Sequence, residues 1–578
     1  MRTSAGFLLF MACVFPARLA LAHTGHGHAL PAKARSLKNP LAITVANLTV
    51  GEKLYRRECA ACHGEDGKAN TPLAFHLPRR PANLVDHLMD SMRDGELWWV
   101  ETYGVAPAMP SLSKHLSRDE RWQVAEWVRE MRRLEKAAER AKVPGDYDWQ
   151  LPPGFPYPKI PQDNPVTAAK VELGRYLFYD KRLSGNQTQS CATCHQQKHA
   201  FADTRGRGLG STGELHPRGP MSLANVAYSP VLTWANPNMR TLEQQMLVPL
   251  FGDHPVEMGM EGKEADLIVR LRAEPRYPPL FAAAYPQDPD PIRLTNVVRA
   301  IASFERTIIS GRSPYDEYRS GSNPNAISRQ AKRGEALFYS ERTECFHCHG
   351  GFNFTGSLDY LDKGFAEVEF HNTGLYNVAG ATSYPADNPG IYEFTQDPAD
   401  VGRFKAPSLR NVAVTAPYMH DGSIATLEEV LDHYSEGGRT IKSGPDAGVG
   451  ADNPNKSEFV KHIGLTKAEK ADLAAFLRSL TDTALLTDAR YSDPWPDEAA
   501  AAPVHVLHGI VREVDLTAGT ILIKHERIDN FLPPMTMQFR VVNSKELNTI
   551  HQGVRVEGVV TRKGDDYWID HLREMSDH

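Results

Sequence analysis

The sequence has no cysteine to spare. It holds seven in 578 residues; Cys13 lies in the apolar start of the chain, and the other six fall in three copies of one short pattern. That arrangement excludes a disulfide-stapled scaffold. Long apolar runs are missing too. Gly6 to Phe15 is too short to span a bilayer, and no later segment is long and apolar enough to do so. There is no basic excess: 65 Lys and Arg face 71 Asp and Glu, for a net charge of -6. Nucleic-acid binding therefore has no electrostatic footprint here. With 41% hydrophobic and 24% charged residues, most of the chain is expected to be globular, in three or four domains.

What is present begins with an export pattern. Met1 and Arg2, the apolar stretch, and Ala20-Leu21-Ala22 predict a signal peptide over residues 1–22 and His23 as the first mature residue. A periplasm is then expected, where cysteines normally pair. Here they do not. Cys59-Ala-Ala-Cys62-His63, Cys191-Ala-Thr-Cys194-His195 and Cys345-Phe-His-Cys348-His349 are three Cys-x-x-Cys-His motifs. That is the attachment pattern of haem c: two thiols bond the vinyl groups and the next histidine reaches the iron. Zinc ribbons or thioredoxin-like pairs do not explain a histidine after every second cysteine. Three covalent haems are expected, with His63, His195 and His349 as proximal ligands.

Residues 23–44 read as a flexible lead in which His23, His26 and His28 either bind a metal such as copper or stay empty. Residues 45–142 read as a small helical domain. Gly51 to Glu58 leads into the first motif, and Arg121 to Ala138 carries an apolar face of Trp122, Val124, Ala125, Trp127 and Val128. Between them a Pro-rich loop holds Met109, the expected sixth iron ligand, which would raise the potential. This segment resembles a class I cytochrome c, whose axial methionine falls on Met109. A linker rich in proline and glycine spans 143–164. Residues 165–491 read as mostly helical and hold the other two motifs, as a pair of fused halves. After a linker at 492–502, five short β-type runs within 503–578 predict a small OB-like barrel. The fold class expected is multidomain: mainly α cytochrome c-like domains, one with a single haem and one pair, plus this barrel.

Residues 165 to 480 resemble the bacterial di-haem cytochrome c peroxidase and MauG family. The resemblance rests on Lys170-Val-Glu-Leu-Gly-Arg-Tyr-Leu-Phe178, Leu183-Ser-Gly185, Leu242-Glu-Gln-Gln245, Pro255-Val-Glu-Met258, Lys405-Ala-Pro-Ser-Leu-Arg-Asn411, Ala416-Pro-Tyr-Met-His-Asp-Gly422 and Thr426-Leu-Glu-Glu429. Leu215-His-Pro-Arg-Gly219 and Phe370-His-Asn-Thr-Gly-Leu-Tyr376 look like its MbnH-like branch. The resemblance implies an enzyme that uses hydrogen peroxide and oxidises a small donor protein or a side chain on a partner protein. It makes the His195 haem peroxidatic and puts the family's distal glutamine, proline and glutamate on Gln245, Pro249 and Glu257. Glu257 would move the peroxide proton. His216 is expected to serve its loop rather than the iron. For the His349 haem, the family's distal ligand lies fourteen residues after His420, at Tyr434, where MauG-type enzymes have tyrosine; Met419 and His433 compete. Trp234 matches the inter-haem tryptophan. Thr415 and Pro417 match carbonyl ligands of a calcium ion between haems, though Gly219 replaces an asparagine ligand.

In the tail, Met535 and Met537 share one face of a strand, and with His525 they make a soft site suited to Cu(I). The tail resembles the periplasmic copper-binding protein CusF, with Leu532 where that family often has tryptophan. Two core methionines are the alternative. The expected function is a tri-haem, MauG-like periplasmic oxidoreductase linked to copper, acting on a partner protein. The alternative is a peroxidase that detoxifies hydrogen peroxide with electrons fed from the Cys59 haem. A copper-responsive electron carrier or chaperone would leave Glu257 and Gln245 unexplained.

Overall fold

A computed structural model describes residues 30–77, 79–105, 109–495, 505–516, 518–528, 531–563 and 566–575. The export segment, His23, His26, His28 and most of the 492–502 linker lie outside them. The chain divides into two compact units, Met1–Pro494 and Trp495–His578. Among the described residues no helix is long and apolar enough to cross a membrane.

The first unit uses one device three times. A helix ahead of each Cys-x-x-Cys-His motif crosses a later helix, and a glycine sits at the crossing. The pairs are Val45–Glu58 with Arg118–Lys142, Ala168–Tyr179 with Leu294–Arg306, and Arg329–Phe338 with Lys467–Arg478. A Cβ on Gly51 would lie 2.1 Å from the Gln123 carbonyl oxygen; on Gly174 or Gly334 it would lie 2.0 Å from that of Ala300 or Asp472. Only glycine lets the backbones approach this closely. Four residues past each carbonyl stands an aromatic, Trp127, Phe304 or Phe476, whose Cβ closes over the same glycine. The first helix of the first pair starts earlier than the sequence reading, at Val45, and ends with it at Glu58, while its partner is longer at both ends. Thr44 caps one helix by accepting from Asn47 N, and Ser117 forms a capping box with Glu120 on the other.

The two later halves meet at a buried polar row. Ser222-Leu-Ala-Asn225-Val-Ala227 and Ser408-Leu-Arg-Asn411-Val-Ala413 are near-copies. Each asparagine is left-handed, with φ of 62° and 61°, and opens a short turn. The Asn225 amide donates to Ser310 O and Asn353 Oδ1, both at 2.9 Å. The Asn411 amide donates to Ser310 Oγ at 2.9 Å, and its oxygen accepts from Asp482 N at 2.8 Å.

The first haem-motif region packs on the second half of this pair. Lys142 meets Asp362 at 2.7 Å. His87 lies edge-on to Phe352 and Tyr360, with centroids 6.0 and 5.4 Å apart. Residues 143–164 bury Trp149, Tyr157 and Ile160. Part of the lead is also fixed: Arg35 in the helix Ala32–Ser36 pairs with Glu96 at 2.8 Å.

The second unit is a closed five-stranded barrel. Its strands are His505–Asp515, Thr520–His525, Met535–Val541, Arg555–Lys563 and Asp566–Glu574, in the order first, second, third, fifth, fourth. Leu507, Val511, Ile521, Ile523, Phe539, Val556 and Ile569 alternate into its core.

Candidate functional site

Each cysteine pair spans one short helical segment, as in Cys191–Cys194 and Cys345–Cys348, and all six thiols are free. Burial pushes Cys59 up to about 12, Cys194 and Cys345 to about 11, and Cys191 higher still. Redox-active dithiols have depressed values, and none of these four is depressed. The three histidines agree in a second way. Their Nδ1 atoms face backbone carbonyls: His63 on Ala82 at 2.9 Å, His195 on Phe201 at 2.9 Å, and His349 on Pro407 at 3.1 Å. Nδ1 therefore donates and Nε2 keeps the lone pair, the tautomer an iron requires. The residues fit haem c.

A cavity of about 400 Å³ opens beside Cys191, Cys194 and His195. Gln245, Pro249 and Glu257 all line it. Gln245 and Pro249 share one face of the helix Leu242–Phe251, one turn apart. Glu243 holds that helix through two 2.7 Å bonds from Arg306. Glu257 comes from the following loop. Ser211 N donates to its carbonyl at 2.7 Å, and Met258 N donates to Pro249 O at 2.8 Å, tying loop to helix. Burial raises the Glu257 carboxyl to about 7. His216 approaches it, Nε2 to Oε1, at 3.8 Å.

Among the further ionisable groups that line this cavity, the sequence reading gave no role to Glu305 and Lys405. Glu305 is buried, raised to about 8, and its Oε2 has no partner among the described residues. Lys405 is buried, lowered to about 8, and donates to Val231 O at 2.6 Å. The signal for Glu305 was a carboxylate on the apolar helix Leu294–Arg306.

Trp234 lines the cavity and packs against the buried cluster that holds Tyr376, Tyr384 and Phe404, its indole donating to Gly219 O at 2.8 Å. Gly219 O is thereby engaged, while Thr415 and Pro417 line the same cavity. The three competitors near the third motif separate. Met419, at φ 71°, lines the His195 cavity. His433 lies near Arg439 and Lys456. Tyr434 lies near the Cys348 and Cys345 thiols, and burial pushes its hydroxyl up.

Around the first motif, Met109 forms a two-bond bridge with Val105, N to O at 2.8 and 2.9 Å, across the undescribed tip 106–108. Buried Arg121 Nε, Trp122 Nε1 and Trp127 Nε1 have no partner among the described residues. Orphaned donors of this kind fit a group that carries carboxylates, as haem does.

In the barrel, His525 pairs in register with Met535, and Ile523 with Met537, so both methionines and the histidine share the inward face. His525 Nδ1 bonds Glu526 O at 2.7 Å, and its buried Nε2 has no partner among the described residues. Met535 is 44% exposed, unlike a core residue, and Leu532 is buried. An imidazole and two thioethers are donors of the kind that suits a soft cation.

Comparison with known proteins agrees in each segment. Residues 46–128 match the family described as cytochrome c oxidase, cbb3-type, subunit III; residues 168–324 match di-haem cytochrome c peroxidase; residues 504–574 match the copper-binding periplasmic protein CusF. The cytochrome-c peroxidase IdrP1 of Denitromonas iodatirespirans is 33% identical over 58% of this chain and 88% of its own length. The methylamine utilization protein MauG of Methylorubrum extorquens is 34% identical over 57% of this chain and 83% of its own. A crystal structure of a MauG-like protein associated with microbial copper homeostasis superposes with a TM-score of 0.60, at 48% identity, over 61% of this chain and all of that one. With its paired haem motifs, the Glu257 cavity between helix and loop, and relatives matched over most of their length, the chain belongs to the di-haem cytochrome c peroxidase and MauG family of oxidoreductases.

Proposed function

We propose that the chain is a periplasmic tri-haem oxidoreductase that reduces hydrogen peroxide beside His195 and oxidises a partner protein in copper handling. The observation that carries this reading is the convergence of Glu257, Gln245 and Pro249 on one cavity with His195. Haem iron, when bound, supplies the electrons that split the O–O bond. The Glu257 carboxylate takes the proton from the near peroxide oxygen and hands it to the far one, which leaves as water. The Gln245 amide holds the peroxide by donation, and Pro249 offers no proton to compete. Trp234 bridges to the Tyr376–Phe404 cluster and carries charge between the halves. Tyr434 and Met109 would serve as sixth ligands in their halves, and Thr415 and Pro417 as carbonyl ligands of calcium.

The CusF-like barrel and the copper-associated neighbour support a partner from copper handling. The partner's oxidised residue is expected to be a tryptophan or tyrosine. The test is peroxide treatment with candidate periplasmic partners, followed by mass spectrometry. A mass change confined to one aromatic residue supports the reading. Peroxide consumption that needs a reduced donor and alters no partner favours the second reading, peroxide detoxification. One observation favours that rival: the Cys59 region packs on the second half through His87 and Lys142, as an internal electron supply would.

Two expectations accompany this reading. Pyridine haemochrome analysis should return three haems c per chain, falling to two when Cys345 and Cys348 are both replaced; a wild-type count of two removes one motif from the scheme. The full chain should also bind one more Cu(I) or Ag(I) than its Met535→Ala, Met537→Ala variant. Equal uptake would make both methionines packing residues only.

A further inference from the structure

The loop over the peroxide cavity carries a residue that no iron or copper role absorbs. His216 sits in a hairpin whose strands are tied by Gly208 N to Arg218 O at 3.2 Å and His216 N to Gly208 O at 2.8 Å. The Arg207 guanidinium donates to His216 O at 2.8 Å. The hairpin also grips the glutamate segment: Ser211 N donates to Glu257 O at 2.7 Å, and Val256 N donates to Glu214 Oε2 at 3.2 Å. Backbone therefore places His216 and Glu257 together from both sides.

The ring's protonation is settled by its neighbour. Arg218 N donates to His216 Nδ1 at 3.1 Å, so Nδ1 accepts. In the neutral ring the proton then lies on Nε2, and Nε2 is the atom 3.8 Å from Glu257 Oε1. That separation is long for a hydrogen bond, but catalytic hydrogen bonds often tighten only when the site is filled.

The surrounding charges leave this contact to His216. Arg207 pairs with Asp387 at 3.2 Å, and Arg218 with Glu393 at 2.9 Å. Burial and the two arginines hold His216 below its ordinary value, which keeps the ring neutral. Glu305 and Lys405 line the same cavity, and the Cys191 and Cys194 thiols face Glu257 from the attachment side.

We propose that His216 is the positioning residue of the peroxide reaction: its Nε2–H donates to the Glu257 carboxylate, aiming it into the cavity and holding it ionised. The inference rests on the reading of Glu257 as the proton carrier, and it assigns His216 no bond to iron.

The experiment uses the full holoprotein with His216→Leu, which removes the donor, and His216→Gln, which restores one. A donor to a carboxylate lowers its pKa, so loss of the donor raises it. The rate with hydrogen peroxide is measured against pH. In His216→Leu the midpoint should move up by about one pH unit, the size of one hydrogen bond to a charged group. With Glu257 starting at about 7, the rate at neutral pH then falls about fivefold and hardly changes near pH ~9. His216→Gln should recover most of the shift. A second readout, independent of turnover, is the infrared carboxyl band that disappears in Glu257→Gln; its titration midpoint should move with the rate profile. An unmoved band in His216→Leu overturns the proposal, as does a rate loss equal at every pH. Loss of a six-coordinate resting spectrum in His216→Leu would overturn it as well, by making His216 a ligand. If the band moves while Glu257→Gln reacts normally with peroxide, the contact stands and the proton-carrier reading of Glu257 fails.

Discussion

Glu257→Gln should keep all its haem and lose about 10²- to 10⁴-fold in its rate of reaction with hydrogen peroxide, the range of a general acid–base group. The residue is placed for the task by backbone bonds to Ser211 on one side and, through Met258, to Pro249 on the other. Burial lifts its carboxyl to about 7, close to where a group that must both take and return a proton works best. The sign of the pH dependence follows. The reaction begins with proton removal, which needs the carboxylate. The wild-type rate should therefore rise as pH climbs through about 7 and then level, because the acid form below that value cannot accept. Glutamine keeps the shape and a donor but cannot accept the proton, so the variant should be slow with no inflection near 7. Stopped-flow absorbance at the Soret band across pH measures both. A variant as fast as wild type, with the inflection intact, would move the role to another group.

What the sequence made legible was chemistry at fixed spacing. Three Cys-x-x-Cys-His motifs and the alternating barrel strands depend on neighbours close in the chain, whereas Gln245, Pro249 and Glu257 came from the family resemblance alone. The contacts that a distant segment decides were not legible. Gly51, Gly174 and Gly334 each meet a carbonyl that belongs to a helix far along the sequence. Nothing local distinguishes them from any other helical glycine, although Trp127 was visible on the first partner helix. The repeat of the Asn225 and Asn411 segments was not read from the sequence, and its meaning needed the left-handed turns and the shared Ser310. Spacing also left Met419, His433 and Tyr434 in competition. Met419, at φ 71°, lines the cavity beside His195, and Tyr434 lies near the Cys348 and Cys345 thiols. At the copper site, alternation put Met535 and Met537 on one face but could not say how exposed that face was. Met535 proves to be at the open end of the barrel.

Tyr434→Met should leave three haems in place, raise the potential of the His349 haem by on the order of a few tenths of a volt, and abolish oxidation of any partner protein. Axial ligands set haem potentials over a range of about 0.8 V, and methionine lies toward the high end. A thioether is neutral and soft, and it favours reduced iron. A phenolate is anionic and hard, and it favours oxidised iron. The protein around Tyr434 works against a free phenolate, since burial pushes its hydroxyl up. Only a cation at the phenol oxygen would reverse that preference, so an ionised Tyr434 would require iron bound there. Wild-type protein with all irons oxidised should thus react with peroxide without any reductant. The variant should need one-electron reduction of the His349 haem first and then simply consume peroxide. Redox titration followed by mixing with peroxide, before and after a reducing equivalent, separates the two. If oxidised wild type is inert and becomes active only after reduction, then Tyr434 does not set the chemistry, and peroxide detoxification fed by the Cys59 haem is the function.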